Sequence, residues 1–159
     1  MEWTIKPVSK IQGRIKVPAD KSITHRAIMF SAIADGFSLI ENYLPSDDCM
    51  RTVSAFQNLG MKIEKTKDKL SIHGKGLEGL RPYAGTIDAG NSGTTARLIC
   101  GILAGQNFIS KISGDESLSK RPMKRVIEPL ELMGARILAR ENNFLPLEIH
   151  GAKCLRPIE

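Results

Sequence analysis

Two stretches of the chain carry side chains suited to holding anions. Asp20-Lys21-Ser22-Ile23-Thr24-His25-Arg26 is echoed by Gly90-Asn91-Ser92-Gly93-Thr94-Thr95-Ala96-Arg97, with Ser22 matched to Gly93 and Arg26 to Arg97 at an offset of 71 residues. In each copy a small residue stands one helical turn before an arginine, so both lie on one face near a helix start. A helix start offers free backbone N–H groups and the positive end of the dipole, which favour phosphate or carboxylate. Lys21, Ser22, His25 and Arg26 crowd the first turn, where the dipole opposes positive side chains unless an anion compensates them. That conflict between local preference and sequence marks a binding site. Lys120-Arg121-Pro122-Met123 is a third basic cluster. Pro122 keeps Arg121 extended, so its guanidinium either reaches across a pocket mouth or remains a solvated loop arginine. Two such helix starts imply a receptor for more than one anionic group, and hence small-molecule phosphate chemistry.

Other motifs resolve more simply. Thr94-Thr95-Ala96 after Gly93 lacks the Lys-Ser/Thr pair of a Walker A loop. Gly74-Lys75-Gly76-Leu77-Glu78-Gly79 matches a dinucleotide fingerprint in letters, but Leu80-Arg81-Pro82 cannot open a helix, so it reads as a connector. Ser46-Asp47-Asp48 reads as an N-cap with dipole-friendly acids rather than a metal carboxylate pair. His25, His73 and His150 share no ligand spacing, and Cys49, Cys100 and Cys154 have neither zinc nor redox spacing, so no metal site is expected. The three thiols are expected to be reduced and structural in a cytoplasmic protein. A net charge of +6 favours anionic partners, yet aromatics are only 5% and the basic residues are dispersed, which argues against nucleic acid. No secretory leader or membrane-spanning run is evident.

The elements that must position these residues also repeat. Leu59-Gly60-Met61-Lys62-Ile63 matches Met133-Gly134-Ala135-Arg136-Ile137 at an offset of 74, and Ser71-Ile72-His73-Gly74 matches Glu148-Ile149-His150-Gly151 at 77. The smoothly growing offset indicates two tandem units, near residues 13–79 and 84–151, each of order β-α-β-α-β-β. The expected strands are Arg14–Val17, Phe37–Tyr43, Met61–Lys65 and Lys69–His73 in the first unit. In the second they are Gly85–Ala89, Asn107–Ser113, Ala135–Arg140 and Leu145–His150. The helices opened by the anion motifs are apolar on nearly every face and should be buried all round. The second helices, Asp48–Leu59 and Pro122–Met133, each carry one apolar stripe, with Arg51, Thr52 and Gln57 off it in the first. Gly60 and Gly134 suit the residue after a helix end, Pro122 suits a first turn, and Pro129 should bend its helix. Helices inside and sheet outside is the implied α/β architecture.

These residues resemble a known family. Ala19-Asp20-Lys21-Ser22-Ile23-Thr24-His25-Arg26-Ala27, Gly90-Asn91-Ser92-Gly93-Thr94-Thr95-Ala96-Arg97-Leu98 and Gly114-Asp115-Glu116-Ser117-Leu118-Ser119-Lys120-Arg121-Pro122-Met123 look like three signatures of 5-enolpyruvylshikimate-3-phosphate synthases. The resemblance implies transfer of the carboxyvinyl group of phosphoenolpyruvate to the 5-hydroxyl of shikimate 3-phosphate, with release of phosphate and no metal or organic cofactor. It implies that Lys21 is catalytic and touches both substrates, and that Ser22 and Arg26 bind shikimate 3-phosphate. Gly93 and Arg121 would hold phosphoenolpyruvate, with Asn91, Thr94 and Arg97 shaping that pocket. The implied fold is an inside-out α/β barrel of three β-α-β-α-β-β units per domain with buried helices, of which two units are here. Residues 1–18 would belong to a second domain missing from this chain, and 19–159 to part of the first. The expectation is an inactive N-terminal portion of a cytoplasmic, monomeric enzyme, with the proton-moving carboxylates elsewhere. The sister enzymes that make enolpyruvyl-UDP-N-acetylglucosamine fit less well, because Glu116 stands where they carry a cysteine. A non-catalytic anion- or nucleic-acid-binding module is the reading from another class. Ser92 and Leu98 replace the Ala and Pro of glyphosate-sensitive members, so this variant resembles the more tolerant subgroup.

Overall fold

The computed structural model describes residues 2–158. The first unit contains α1 (Lys21–Ile33), β1 (Asp35–Glu41), α2 (Asp47–Asn58), β2 (Lys62–Lys65) and β3 (Lys69–Lys75). A single 3-10 turn, Leu77–Gly79, then connects to the second unit, as expected for a linker without a nucleotide-binding helix. That unit contains β4 (Thr86–Asp88), α3 (Gly93–Ala104), β5 (Ile109–Ser113), α4 (Glu116–Ser119), α5 (Lys124–Leu132), β6 (Arg136–Arg140) and β7 (Phe144–His150).

The duplication is visible in the registers. β3 is the centre of a β1-β3-β2 sheet, and β7 lies between β5 and β6 in a β4-β5-β7-β6 sheet. His73 stands opposite Phe37 and Lys62, and His150 opposite Ile109 and Arg136, so the two histidines occupy equivalent ladder positions. Immediately after each histidine comes a glycine that nothing larger could replace. A Cβ on Gly74 would overlap the carbonyl oxygens of Ser31 and Ala34, and one on Gly151 those of Leu103 and Gln106. In both copies the end of the central strand is thus seated on the end of the unit's first helix. Gly76 N–H bonds Ala34 O at 2.9 Å and Ala152 N–H bonds Ala104 O at 2.8 Å.

The helix ends obey the same local rules twice. Gly60 and Gly134 adopt φ of 88° and 108°. Met61 N–H reaches Phe56 O and Ala135 N–H reaches Leu130 O, the six-to-one bond of a Schellman ending. Glu141 and Asn142 take positive φ in the turn between β6 and β7. That turn also delivers Asn143, whose Oδ1 accepts from the N–H groups of Met123 and Lys124 and so caps α5 from outside the helix. Consequently α5 starts at Lys124 rather than Pro122, and the short α4 precedes it; the helix continues through Pro129 to Leu132.

Two expectations need correction. Arg14–Val17 is not a strand: among the described residues none before Lys21 is in a helix or strand, and Ile15 and Val17 stay exposed. Fixing an extended backbone costs roughly 1–2 kcal/mol per residue, which only ladder bonds to a neighbour offset. β4 has that neighbour in β5, whereas the equivalent edge of β1 is unpaired. Nor are the apolar helices buried all round. α1 buries Ile28, Met29 and Ala32 against α2, α3 and β3 but presents Ile23 and Phe30, 63% and 64% exposed and two turns apart, on its outer face. Leu98 of α3 is likewise exposed. On α2 the expected stripe is buried from Val53 through Phe56 to Leu59, and Thr52, expected off the stripe, is buried as well because this helix packs on both α1 and α3.

Candidate functional site

The three first helices meet at their N-terminal ends. Asp20 caps α1 by accepting from Ile23 N–H at 2.7 Å, Ser46 caps α2 through Cys49 N–H, and Ser92 caps α3 through Thr95 N–H at 3.2 Å. The α1 and α3 starts open into one cleft of about 500 Å³, and every sequence-predicted site residue lines it: Lys21, Ser22, Arg26, Asn91, Gly93, Thr94, Arg97 and Arg121. The tandem repeat therefore brings its two anion motifs onto one cavity, and Arg121 lines it too, whereas Lys120 pairs with Glu116 at 2.6 Å instead.

Within the cleft the cations are held in different ways. Lys21 Nζ lies 2.8 Å from Asp48 Oδ2. The hydrogen bond to Asp48, with its charge, raises the lysine pKa further above an already basic value, so the group stays an ammonium. Arg121 Nη2 donates to Asn91 Oδ1 at 2.6 Å, and Asn91 Nδ2 donates to Asp115 Oδ2 at 2.8 Å. Asp115, held below the usual carboxylate range by the Leu118 N–H and then Asn91, anchors this line. Asn91 thus aims the guanidinium without neutralising it. Arg97 donates to Gly93 O at 3.3 Å and Pro122 O at 3.1 Å, tying α3 to the loop before α5. Its Nε is buried with no partner. Burial, then the charges of Arg125 and Arg121, lowers its pKa. Arg26 makes no hydrogen bond or ion pair among the described residues. A side chain at position 93 would collide with the Arg97 guanidinium, so glycine leaves the backbone open to a ligand.

Besides Leu98, which the sequence singled out only as a departure from the family pattern, two lining residues escaped the sequence reading. Asp48 was expected only as a helix-start acid, yet it is the sole carboxylate among the cleft residues and partners Lys21. Arg125 also lines the cleft, and its spacing of four from Arg121 was the available signal.

His25 departs from the expected cationic crowd. It is fully buried, its Nδ1 lying 2.7 Å from Thr52 Oγ1. Burial pushes its pKa below 6.5, opposed in part by Asp48 and reinforced by Lys21. The folded protein therefore holds a neutral ring, while the unfolded chain takes up a proton near the ordinary value of 6.5. Its contribution to stability is complete above that pH and is lost as pH falls below it. Urea unfolding should show stability declining from pH 7 to pH 5 (roughly the window below the free-histidine value). His25→Gln should flatten that decline; an unchanged slope would contradict the assignment.

Among the described residues no group of three or more His, Cys, Asp or Glu could hold a metal ion, and no helix is long and apolar enough to cross a membrane.

Comparison with known proteins identifies relatives of the chain. The family model for EPSP synthase (3-phosphoshikimate 1-carboxyvinyltransferase) matches residues 5–159. The 3-phosphoshikimate 1-carboxyvinyltransferase of Desulforamulus reducens is 52% identical over 161 residues, spanning 100% of this chain and 37% of its own length. That of Solibacter usitatus is 52% identical over 159 residues, with the same 37% of its length covered. The EPSP synthase structure from Acinetobacter baumannii superposes with a TM-score of 0.87 and 44% identity, over 92% of this chain and 33% of that one. The chain thus spans little more than a third of the curated relatives it matches, and its mixed α/β units are those of the inside-out EPSP synthase domain. With the family model matching nearly its whole length, this chain belongs to the EPSP synthase (3-phosphoshikimate 1-carboxyvinyltransferase) family.

Proposed function

We propose that this chain supplies part of the substrate cleft of a carboxyvinyl transferase acting on shikimate 3-phosphate and phosphoenolpyruvate. The observation that carries the reading is the gathering of Lys21, Arg26, Arg97, Arg121 and Arg125 around one cavity with Asp48 as the only carboxylate. Such an imbalance attracts anions, and two phosphates and two carboxylates are what these substrates bring. Ser22 and the unpaired Arg26 take the phosphate of shikimate 3-phosphate at the α1 start. Gly93, Thr94 and Arg121 take phosphoenolpyruvate at the α3 start, Asn91 and Arg97 holding the wall in place. Lys21 lies between the two and exchanges Asp48 for substrate oxygens.

The 5-hydroxyl gives up its proton as its oxygen bonds C2 of phosphoenolpyruvate and C3 takes a proton, leaving a tetrahedral adduct that still carries its phosphate. Loss of a proton from C3 and of phosphate from C2 then restores the double bond. Fixed cations around that adduct stabilise its charge without reorganising, the usual source of large rate effects. On this reading residues 1–18 belong with a second domain and 19–159 with the first, and the enzyme is a cytoplasmic monomer. The chain covers 37% of the Desulforamulus reducens relative, and the family resemblance puts the proton-moving carboxylates in the part it does not cover. These 159 residues are therefore expected to bind both substrates without turning them over. Calorimetric titration with each substrate, alongside a phosphate-release assay, tests this. Saturable binding of both with no release is expected. Phosphate release at a native-like rate would overturn the division of labour. Absence of small-anion binding, with tight single-stranded RNA binding that falls steeply with salt, would overturn the substrate assignment.

A further inference from the structure

Beneath the cleft floor runs a line of buried polar groups that the proposed substrate contacts do not use. His25 Nδ1 lies 2.7 Å from Thr52 Oγ1, Thr52 Oγ1 lies 2.7 Å from Thr95 Oγ1, and Thr95 Oγ1 lies 2.7 Å from Ser92 Oγ. All four residues are at most 1% exposed. They come from α1, α2, α3 and the α3 cap, so the line crosses both units and joins the two anion-binding helix starts. Hydrophobic residues of similar shape would fill this space without hydrogen bonds, and a buried polar network is tolerated only when its members satisfy one another.

The line has a direction. His25 Nε2 is buried with no partner. An orphaned buried N–H is the rarer and costlier defect, so the proton sits on Nδ1 and is donated to Thr52. Thr52 then donates to Thr95. Thr95 donates to Ser92, with the backbone O of Asp48, whose carboxylate holds Lys21, as a second acceptor at 3.3 Å. Ser92 Oγ in turn accepts the Thr95 N–H and caps the helix whose next residue is Gly93. The first turn of α1 and the α3 cap are thus joined by one continuous line of hydrogen bonds.

We propose that His25, Thr52, Thr95 and Ser92 form a positioning relay through which occupation of the α1 start by one anion strengthens binding of the second at the α3 start. None of the four needs to touch substrate. The proposal rests on the two-anion reading above. It specifies which side chains carry the coupling, and it goes beyond that reading in requiring a particular histidine tautomer.

The test is to measure phosphoenolpyruvate affinity for the chain with and without saturating shikimate 3-phosphate, in the unmodified protein, Thr52→Val and Thr52→Ser. Coupling of about fivefold or more is expected in the unmodified chain and in Thr52→Ser, which keeps the hydroxyl, and a ratio near one in Thr52→Val. The unmodified chain gives a second readout that needs no variant. Ring ¹⁵N spectra should show His25 neutral with the proton on Nδ1, and its resonances should move when shikimate 3-phosphate binds. Coupling that survives Thr52→Val, or a proton on Nε2, would overturn the relay while leaving the two-anion reading intact. Should Thr52→Val fail to fold, the tautomer and its response decide the matter. If the unmodified, folded chain binds neither anion, the reading itself fails and the relay with it.

Discussion

Replacing Arg26 with alanine should weaken shikimate 3-phosphate binding by about 10- to 100-fold and leave phosphoenolpyruvate binding within about threefold, whereas Arg121→Ala should do the reverse. Removing a charged hydrogen-bond partner costs about 1.5–3 kcal/mol, and each 1.4 kcal/mol is about tenfold in affinity. Arg26 has no partner among the described residues, so its loss leaves nothing in the protein unsatisfied and the whole effect falls on the ligand. Arg121 is different. Its removal frees Asn91 Oδ1 and Ser117 Oγ, both near solvent, so a small stability loss accompanies the binding defect. Separate titrations of the two variants check this. Equal weakening of both ligands by both changes would mean a diffuse positive field rather than two cradles, and adding salt would then erase the difference.

The second large effect concerns the fold beneath the cleft. Gly151→Ala and Gly74→Ala should each cost about 3 kcal/mol or more, lowering the melting temperature by roughly 6–12 °C for a chain of this size. In both cases the new Cβ meets backbone carbonyl oxygens of the unit's first helix rather than a side chain that could swing aside. The strand end must retreat, breaking the bond from Gly76 N–H to Ala34 O or from Ala152 N–H to Ala104 O. Gly101 is the internal control. It lies exposed in α3 with nothing near its missing Cβ, so Gly101→Ala should be neutral or stabilise by about 0.5–1 kcal/mol through helix propensity. Chemical denaturation of the three variants compares them directly, and equal behaviour would refute the seating of strand on helix.

Much of this was legible in the residues because it is local and occurs twice. The caps at Asp20 and Ser92, the glycine endings at Gly60 and Gly134 and the alternation of β3 and β7 are short-range chemistry. The repeat pointed to the two helix starts as anion sites, and the family resemblance supplied Asn91, Thr94 and Arg121 beside them, so eight residues of the cleft could be named in advance. What escaped depends on neighbours remote in sequence. Arg14–Val17 alternates suitably for a strand but lacks the partner that β4 finds in β5. Asp48 satisfies the rule for a helix-start acid so fully that its meeting with Lys21, 27 residues away, left no local trace. Thr52 and His25 look like surface residues until three helices converge on them. Polar groups buried in pairs cancel one another's cost, and that cancellation cannot be seen one residue at a time.

The most direct test of the central claim, that two duplicated helix starts form a single ready-made receptor for paired anions, is an NMR titration of the 159-residue chain with shikimate 3-phosphate. Saturable displacement of the Ser22 amide first, with Gly93 following when phosphoenolpyruvate is added, is the predicted result. A well-dispersed, folded spectrum in which neither amide moves at millimolar ligand would contradict it.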